Sequence, residues 1–296
     1  MFIHSAVAHI TAPAEVRDLK EELGRHTDIH FRRVSKFVLL ALIGACSCAA
    51  RRTPDKDTAI YVTTENGNLA DTESVLSQIY RQHSLPMPFN FINTMTNTAA
   101  FYVAQGLGLC GRNMSVSSQN LSFERGMELL KADMETGTVR HALIGLVDEA
   151  TPSASRFTTS SGVVNDRINQ IDRSCWLYVK AERAGAIGEI AAVRSFKTQE
   201  EACRWLEENP ASLSPDTEFS FGAAMGPEEK GRWMTRLQSA ARRPAIEFDY
   251  IRESGHYNVT TACGIVRFLQ TSNTDRLFHI NRNFSDQHVI MEIIRY

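Results

Sequence analysis

The 296-residue sequence lacks a strong charge of either sign, a metal-type cysteine cluster and an apolar run long enough to span a membrane. A formal net charge of −2 removes the basic surplus that non-specific nucleic-acid binding requires, so no nucleic-acid partner is expected. Lysine is scarce: 7 of the 32 basic residues are Lys and 25 are Arg. Arginine suits fixed bidentate contacts, but genomic base composition produces the same bias.

The six cysteines (Cys46, Cys48, Cys110, Cys175, Cys203, Cys263) are scattered, with no CxxC pair. At this length they are too few for a disulfide scaffold, which makes the reduced cytoplasm the expected location. The nine histidines form no HExxH or other ligand spacing, so no metal and no cofactor are expected.

The longest apolar stretch, Phe37 to Ala50 (FVLLALIGACSCAA), is 14 residues long. A membrane span needs roughly 17–25, so no membrane span is expected. Ile43-Gly44-Ala45-Cys46 resembles a lipoprotein cleavage box, but it lies deep in the chain behind the charged stretch Glu15 to Arg33. A secretory signal has its apolar run at the N-terminus, so a buried helix is the better reading.

What is present is an alternation of strand-like and helix-like patterns. Strands are expected at 2–11, 58–64, 113–118, 139–147, 175–182, 187–193, 217–221 and 246–250, with a terminal hairpin from 276–281 and 289–294. The strands at 175–182 and 187–193 are joined near Gly185. Helices are expected at 14–23, 33–48, 69–82, 94–105, 121–136, 200–208, 228–241 and 259–270. Pro86 and Pro88 are expected to break the 69–82 helix, and 150–172 is Ser/Thr/Asn-rich and loop-like. The alternation predicts an α/β protein with helices on both sheet faces.

Gly106-Leu107-Gly108-Leu109-Cys110-Gly111 fits GxGxxG, but a helix precedes it and a strand follows. A dinucleotide fingerprint needs the reverse order, so a glycine-rich turn is expected. His256, in Glu253-Ser254-Gly255-His256, stands at the start of a small-residue helix. There a neutral imidazole could donate to a developing oxyanion, or simply begin the helix.

Residues 88–149 resemble the nucleophile half of a β-ketoacyl synthase, a condensing enzyme of the thiolase fold. The resemblance rests on Pro88-Phe89, Asn97, Gly106-Leu107-Gly108, Gly111, the strand Ser115 to Ser118, Phe123, Gly137 and Ala142 to Glu149 in family order. Upstream, Thr58 to Gly67 resembles the family's second strand and glycine turn. Downstream, Gly255-His256 with Ala262 and Gly264 resembles its "GH…AAG" helix start, and Asn281 to Ile290 its last hairpin. The resemblance implies a five-layer αβαβα thiolase-like fold of two pseudo-equivalent halves, 1–184 and 185–296. The first would hold the nucleophile site and dimer interface, the second the GH motif and terminal hairpin.

The departures from the family pattern fall on its catalytic positions. The nucleophilic Cys aligns with Asn120, preceded by Gln119, and no cysteine lies between 111 and 174. An amide has no nucleophile for an acyl-enzyme. Phe221 falls at the family's first catalytic His. The family lysine before the GH motif is missing at Ile251-Arg252, and Phe284-Ser285-Asp286-Gln287 replaces the Gly-rich oxyanion loop, with a shortened cap and C-terminal half. Of the set only His256 survives, so no catalytic residue is expected.

The pattern resembles a chain-length-factor subunit, and the small, trimmed form resembles that of a bacterial aryl-polyene pathway. Such a subunit pairs with an active ketosynthase as a heterodimer and meets the acyl carrier protein only indirectly. The resemblance places the dimer strand at Ser115, Val116, Ser117 and Ser118, and puts Phe89, Phe91 and Met95 at the partner's tunnel floor or inside their own subunit. Two rivals stay open. One is a malonyl decarboxylase or other residual acyl chemistry using His256 with Asn120 or Gln119. The other is carrier-protein docking by Arg32-Arg33 or Arg242-Arg243.

Overall fold

The structure, a computed structural model, describes residues 1–151, 171–209, 211–254 and 260–296. Ten strands form one hydrogen-bonded sheet: β1 (Phe2–Thr11), β2 (Ala59–Thr63), β3 (Asn113–Val116), β4 (His141–Asp148), β5 (Asp172–Lys180), β6 (Gly188–Phe196), β7 (Thr217–Phe221), β8 (Ile246–Glu247), β9 (Arg276–Arg282) and β10 (His288–Arg295).

Their order is β3-β2-β4-β5-β1 followed by β6-β10-β9-β7-β8. Counted within each half, that is 3-2-4-5-1 and then the same order read backwards. The directions match too. β2 runs parallel to β3 and β4, as β7 does to β8 and β9. β5 is antiparallel to both its neighbours, as is β10. Within the sheet the halves meet where Phe2 and Ile3 of β1 face Glu189 and Gly188 of β6.

Three separate apolar cores make the layers. One buries α1 (Val16–Leu23), α2 (Lys36–Ala50) and α5 (Asn97–Leu107) on the outer face of the first half-sheet. A central core packs α6 (Ser122–Glu135) and α10 (Thr261–Thr271) against strands of both halves. The third packs α7 (Gln199–Glu208) and α8 (Pro227–Ala241) on the outer face of the second. This is the helix–sheet–helix–sheet–helix layering expected above.

The apolar 37–50 run is α2, buried on nearly every side, which is why it shows no polar stripe. Its Gly44 and Gly145 of β4 flank the fully buried Trp176 ring, and a Cβ on either glycine would collide with that indole. Trp176 Nε1 donates to Ser174 Oγ at 2.9 Å, so the buried N–H is satisfied.

Several expectations change. The helix expected over 69–82 ends at Tyr80, ahead of Pro86 and Pro88 as expected, but Pro88 also opens a short helix of its own, α4 (Pro88–Asn93), because a proline at the first helical position loses no intrahelical bond. β5 and β6 are consecutive in sequence, yet β1 lies between them. The strand expected at 246–250 is confined to Ile246–Glu247, and Tyr250 begins helix α9 (Tyr250–Ser254), its side chain in the central core. The glycine-rich turn forms: Gly108 takes φ +64° after α5, and Gly111 packs onto the Asp57 and Thr58 carbonyls.

The six cysteines, too few for a disulfide scaffold, nevertheless include one bonded pair. Cys175 of β5 and Cys263 of α10 form a disulfide across 88 residues, tying the two halves together inside the central core. Spacing hides it, because only the folded sheet brings β5 beside α10.

Candidate functional site

The turn from β3 into α6 is where the resemblance puts the nucleophile. Gln119, exposed, takes φ +50° there. The Ser118 N–H donates to Ser122 Oγ at 2.9 Å, and Ser122 Oγ donates to the Gln119 carbonyl at 2.6 Å. Asn120 is half-buried. Its Nδ2 donates to the Arg282 carbonyl, and its own carbonyl accepts from Asn281 Nδ2 at 2.9 Å. Both contacts reach β9 in the other half, so the amide bridges the two halves.

Phe221 ends β7 deep in the third core. Its carbonyl accepts from Tyr250 Oη at 3.2 Å, and Lys230 Nζ lies 6.0 Å from its ring centroid. The next residue, Gly222, gives its Cβ space to the Asn281 amide. Phe284 is exposed at the β9–β10 turn. There Asn283 Oδ1 accepts from the Ser285 and Gln287 N–H groups at 3.0 and 2.9 Å, and Asp286 sits at φ +60°. Side-chain bonding holds that turn without a glycine. His256 lies outside the described residues.

Below this turn is a buried polar network that sequence reasoning missed. The Glu124 carboxylate, on the first turn of α6, accepts from Thr261 Oγ1 at 2.6 Å and from Asn281 Nδ2 at 2.7 Å. His279 Nε2 lies 3.0 Å from Thr261 Oγ1, and Nδ1 lies 2.9 Å from Ser220 Oγ. Because Thr261 donates to Glu124, the ring satisfies all its contacts with the proton on Nε2 and the Ser220 hydroxyl donating to Nδ1. All five residues are buried. Burial works to raise the Glu124 pKa, but the His279 ring, 3.6 Å away, and the Thr261 and Asn281 donors outweigh it and hold it below the ordinary value. Burial pushes Tyr250 well up. One signal was available: His279 and Asn281 alternate on β9 and share a face, odd for a strand otherwise apolar inward.

A second acidic group sits at the ends of β2 and β4. Buried Asp148 accepts from Thr64 Oγ1 at 2.8 Å, from the Asn66 N–H at 3.0 Å and from Arg173 at 3.4 Å, closing the turn that ends at Gly67. Burial, reinforced by the Asp148 charge, pushes Glu65 up to about 8. Burial and Asp71 push Glu149 up to about 7. Among the described residues no group of three or more His, Cys, Asp or Glu side chains could hold a metal ion.

The positions assigned to an interface lie at one edge. Ser115 and Val116 are in β3, the outermost strand of the first half, which among the described residues pairs only with β2; Ser117 and Ser118 follow it. On α4, Phe89 is half-buried, while Phe91 and Met95 are 60% and 48% exposed. Of the Arg pairs, Arg33 offers its carbonyl to Asn93, and Arg243 Nε donates to the Leu213 carbonyl. No described helix is long and apolar enough to cross a membrane.

The strand order repeated in two halves, with helices sandwiched between and outside them, defines a thiolase-like fold of the ketosynthase type. Solved structures share it. The ishigamide ketosynthase/chain length factor aligns at TM-score 0.69 and 14% identity, over 94% of this chain and 85% of its own. A type II polyketide-synthase ketosynthase in complex with its acyl-carrier protein aligns at 0.71 and 10% identity, over 100% and 99%. The ketosynthase ApeO in complex with its chain length factor ApeC, from Xenorhabdus doucetiae, aligns at 0.55 and 14% identity, over the whole of both chains. No protein-family model and no curated protein matches the sequence.

Proposed function

We propose that the chain is a non-catalytic, chain-length-factor-type subunit that pairs with an active β-ketoacyl-carrier-protein synthase and shapes its acyl tunnel. The observation that carries this reading is Asn120. At the nucleophile position it offers an amide, already bonded to the backbone of β9. Phe221 supports it, since a core aromatic at the first-His position can neither donate to an oxyanion nor move a proton. In this reading the partner supplies Cys and both His residues, β3 pairs along its open edge, and Phe89, Phe91 and Met95 face the partner's tunnel. Polyketide or fatty-acyl biosynthesis in the cytoplasm, of the aryl-polyene kind, is the proposed setting. The two halves divide between residues 184 and 185.

Co-expression with a ketosynthase encoded beside this chain, followed by size-exclusion chromatography, tests the pairing. A stable one-to-one complex is expected, and Phe89→Ala or Phe91→Ala within it should lengthen the product. Release of CO₂ from malonyl carrier protein by the isolated chain, abolished by His256→Ala, would overturn the non-catalytic reading.

A further inference from the structure

The segment from α3 (Leu69–Tyr80) through α4 to Met95 is poorly anchored in its own subunit. Between Leu69 and Met95, Val75 and Asn93 are the only buried residues. A twelve-residue helix ordinarily buries an apolar stripe. Here the apolar side chains face outward instead: Leu76, Ile79, Tyr80, Met87, Phe91 and Ile92 are exposed, and Leu85 is 95% exposed. A contiguous apolar surface of this kind marks an interaction site.

Its charge content is equally unusual. From Ser74 to Phe123 only Arg81 and Arg112 are charged, in a chain where 22% of residues are. Depletion of charge with aromatic and Met enrichment is the composition of a protein–protein interface core. Membrane-surface segments are instead rich in Lys and Arg beside their apolar face. Arg112 is paired with Asp133 at 3.2 Å. That leaves Arg81, which caps α3 at the end of the Leu76–Tyr80 face and has no ion-pair partner among the described residues. Glu73, the nearest acid in sequence, lies roughly 12 Å back along the helix axis at 1.5 Å per residue.

Covering this face with a partner desolvates the Arg81 guanidinium, which is costly unless a carboxylate meets it. A symmetric contact centred on Arg81 would bring two guanidinium groups together with no acid between 74 and 123 on either copy, Asp71 and Glu73 lying roughly two turns or more back along α3.

We propose that this face binds a different protein chain, one that presents an apolar, charge-poor patch with a carboxylate opposite Arg81, and that Arg81 directs the chain to that partner and away from a second copy of itself. The inference rests on the heterodimer reading above and adds the residue that selects the partner.

The test is light scattering and calorimetry on the full chain and its Arg81→Lys, Arg81→Gln and Arg81→Glu variants, alone and with the active ketosynthase with which it co-purifies. Circular dichroism verifies that each variant is folded, which the exposed position favours. The wild-type chain alone is expected to be monomeric. Arg81→Lys should bind the partner nearly as wild type, Arg81→Gln several-fold weaker and Arg81→Glu at least tenfold weaker. Wild-type affinity in Arg81→Glu would overturn the role of Arg81 while leaving the pairing intact. A stable wild-type homodimer that Leu76→Glu dissociates, or sedimentation of the chain with anionic vesicles, would overturn the choice of occupant. Failure of the wild-type chain to bind the ketosynthase would instead remove the heterodimer reading itself.

Discussion

The Asn281 amide donates to the Glu124 carboxylate at 2.7 Å, and the two residues come from opposite halves of the molecule. The same amide nitrogen donates to the Asn120 carbonyl, so one side chain joins Asn120 to the buried network beneath it. In this chain Glu124, Thr261, His279 and Ser220 are committed to one another.

Breaking that network should destabilise the fold more than a surface change would. Asn281→Ala leaves a buried carboxylate short of a donor and should cost about 1–3 kcal/mol. Glu124 is held below its ordinary pKa, so its contribution is present above the unfolded value and lost as pH falls through the folded one. Urea unfolding of wild type and Glu124→Gln at pH 3 and pH 6 checks this. The variant should be weaker at pH 6, with the gap narrowing at pH 3.

Glu65 and Glu149 act with the opposite sign. Their folded pKa values, about 8 and about 7, lie above the ordinary 4.5. Between those limits the unfolded chain has released protons that the folded chain keeps, so stability falls as pH rises. The unfolding midpoint should drop from pH 5.5 to pH 8, and Glu65→Gln should flatten that slope.

Alkylation should read the thiols directly. Burial pushes Cys46 and Cys203 up to about 11 and Cys48 up to about 12, whereas Cys110 is exposed. Iodoacetamide on the native protein should give one adduct, at Cys110, since the thiolate is the reactive form. Unfolding without reductant should raise the count to the four free cysteines, and Cys175–Cys263 should appear as a linked peptide. Its reduction should cost about 2–4 kcal/mol of stability.

Gly145→Ala tests the packing of Trp176. The added methyl would enter the indole ring, with Gly44 closing the other side. A loss of about 1–3 kcal/mol is expected from overpacking, measured as a lower Tm with retained far-ultraviolet dichroism.

Much of the layering was legible before any coordinates. The Thr58–Thr64 and Val139–Val147 runs are continuous and apolar because parallel strands buried on both faces need no polar alternation. α2 declared its place by lacking a polar side. Pairings set by tertiary structure were not legible. Nothing local tells Cys175 of Cys263, or inserts β1 between β5 and β6. At the site, Asn120, Phe221 and Phe284 could be read only as departures from the pattern the sequence resembles. The compensating bonds could not, because Asn120, Glu124 and Asn281 meet only when the halves close.

The insertion of β1 also has a cost in time. His4 is bonded to the Glu182 carbonyl, 178 residues further along, and the whole of β1 pairs with β5. At a synthesis rate of about 5–20 residues per second, β1 and the apolar α2 wait roughly 10–30 s for their strand partner to be made. During that interval α2 can meet α1 and α5 but not β5, the strand whose Trp176 packs against Gly44. The first strand of the chain therefore enters the sheet only after the residues up to Lys180 have been made.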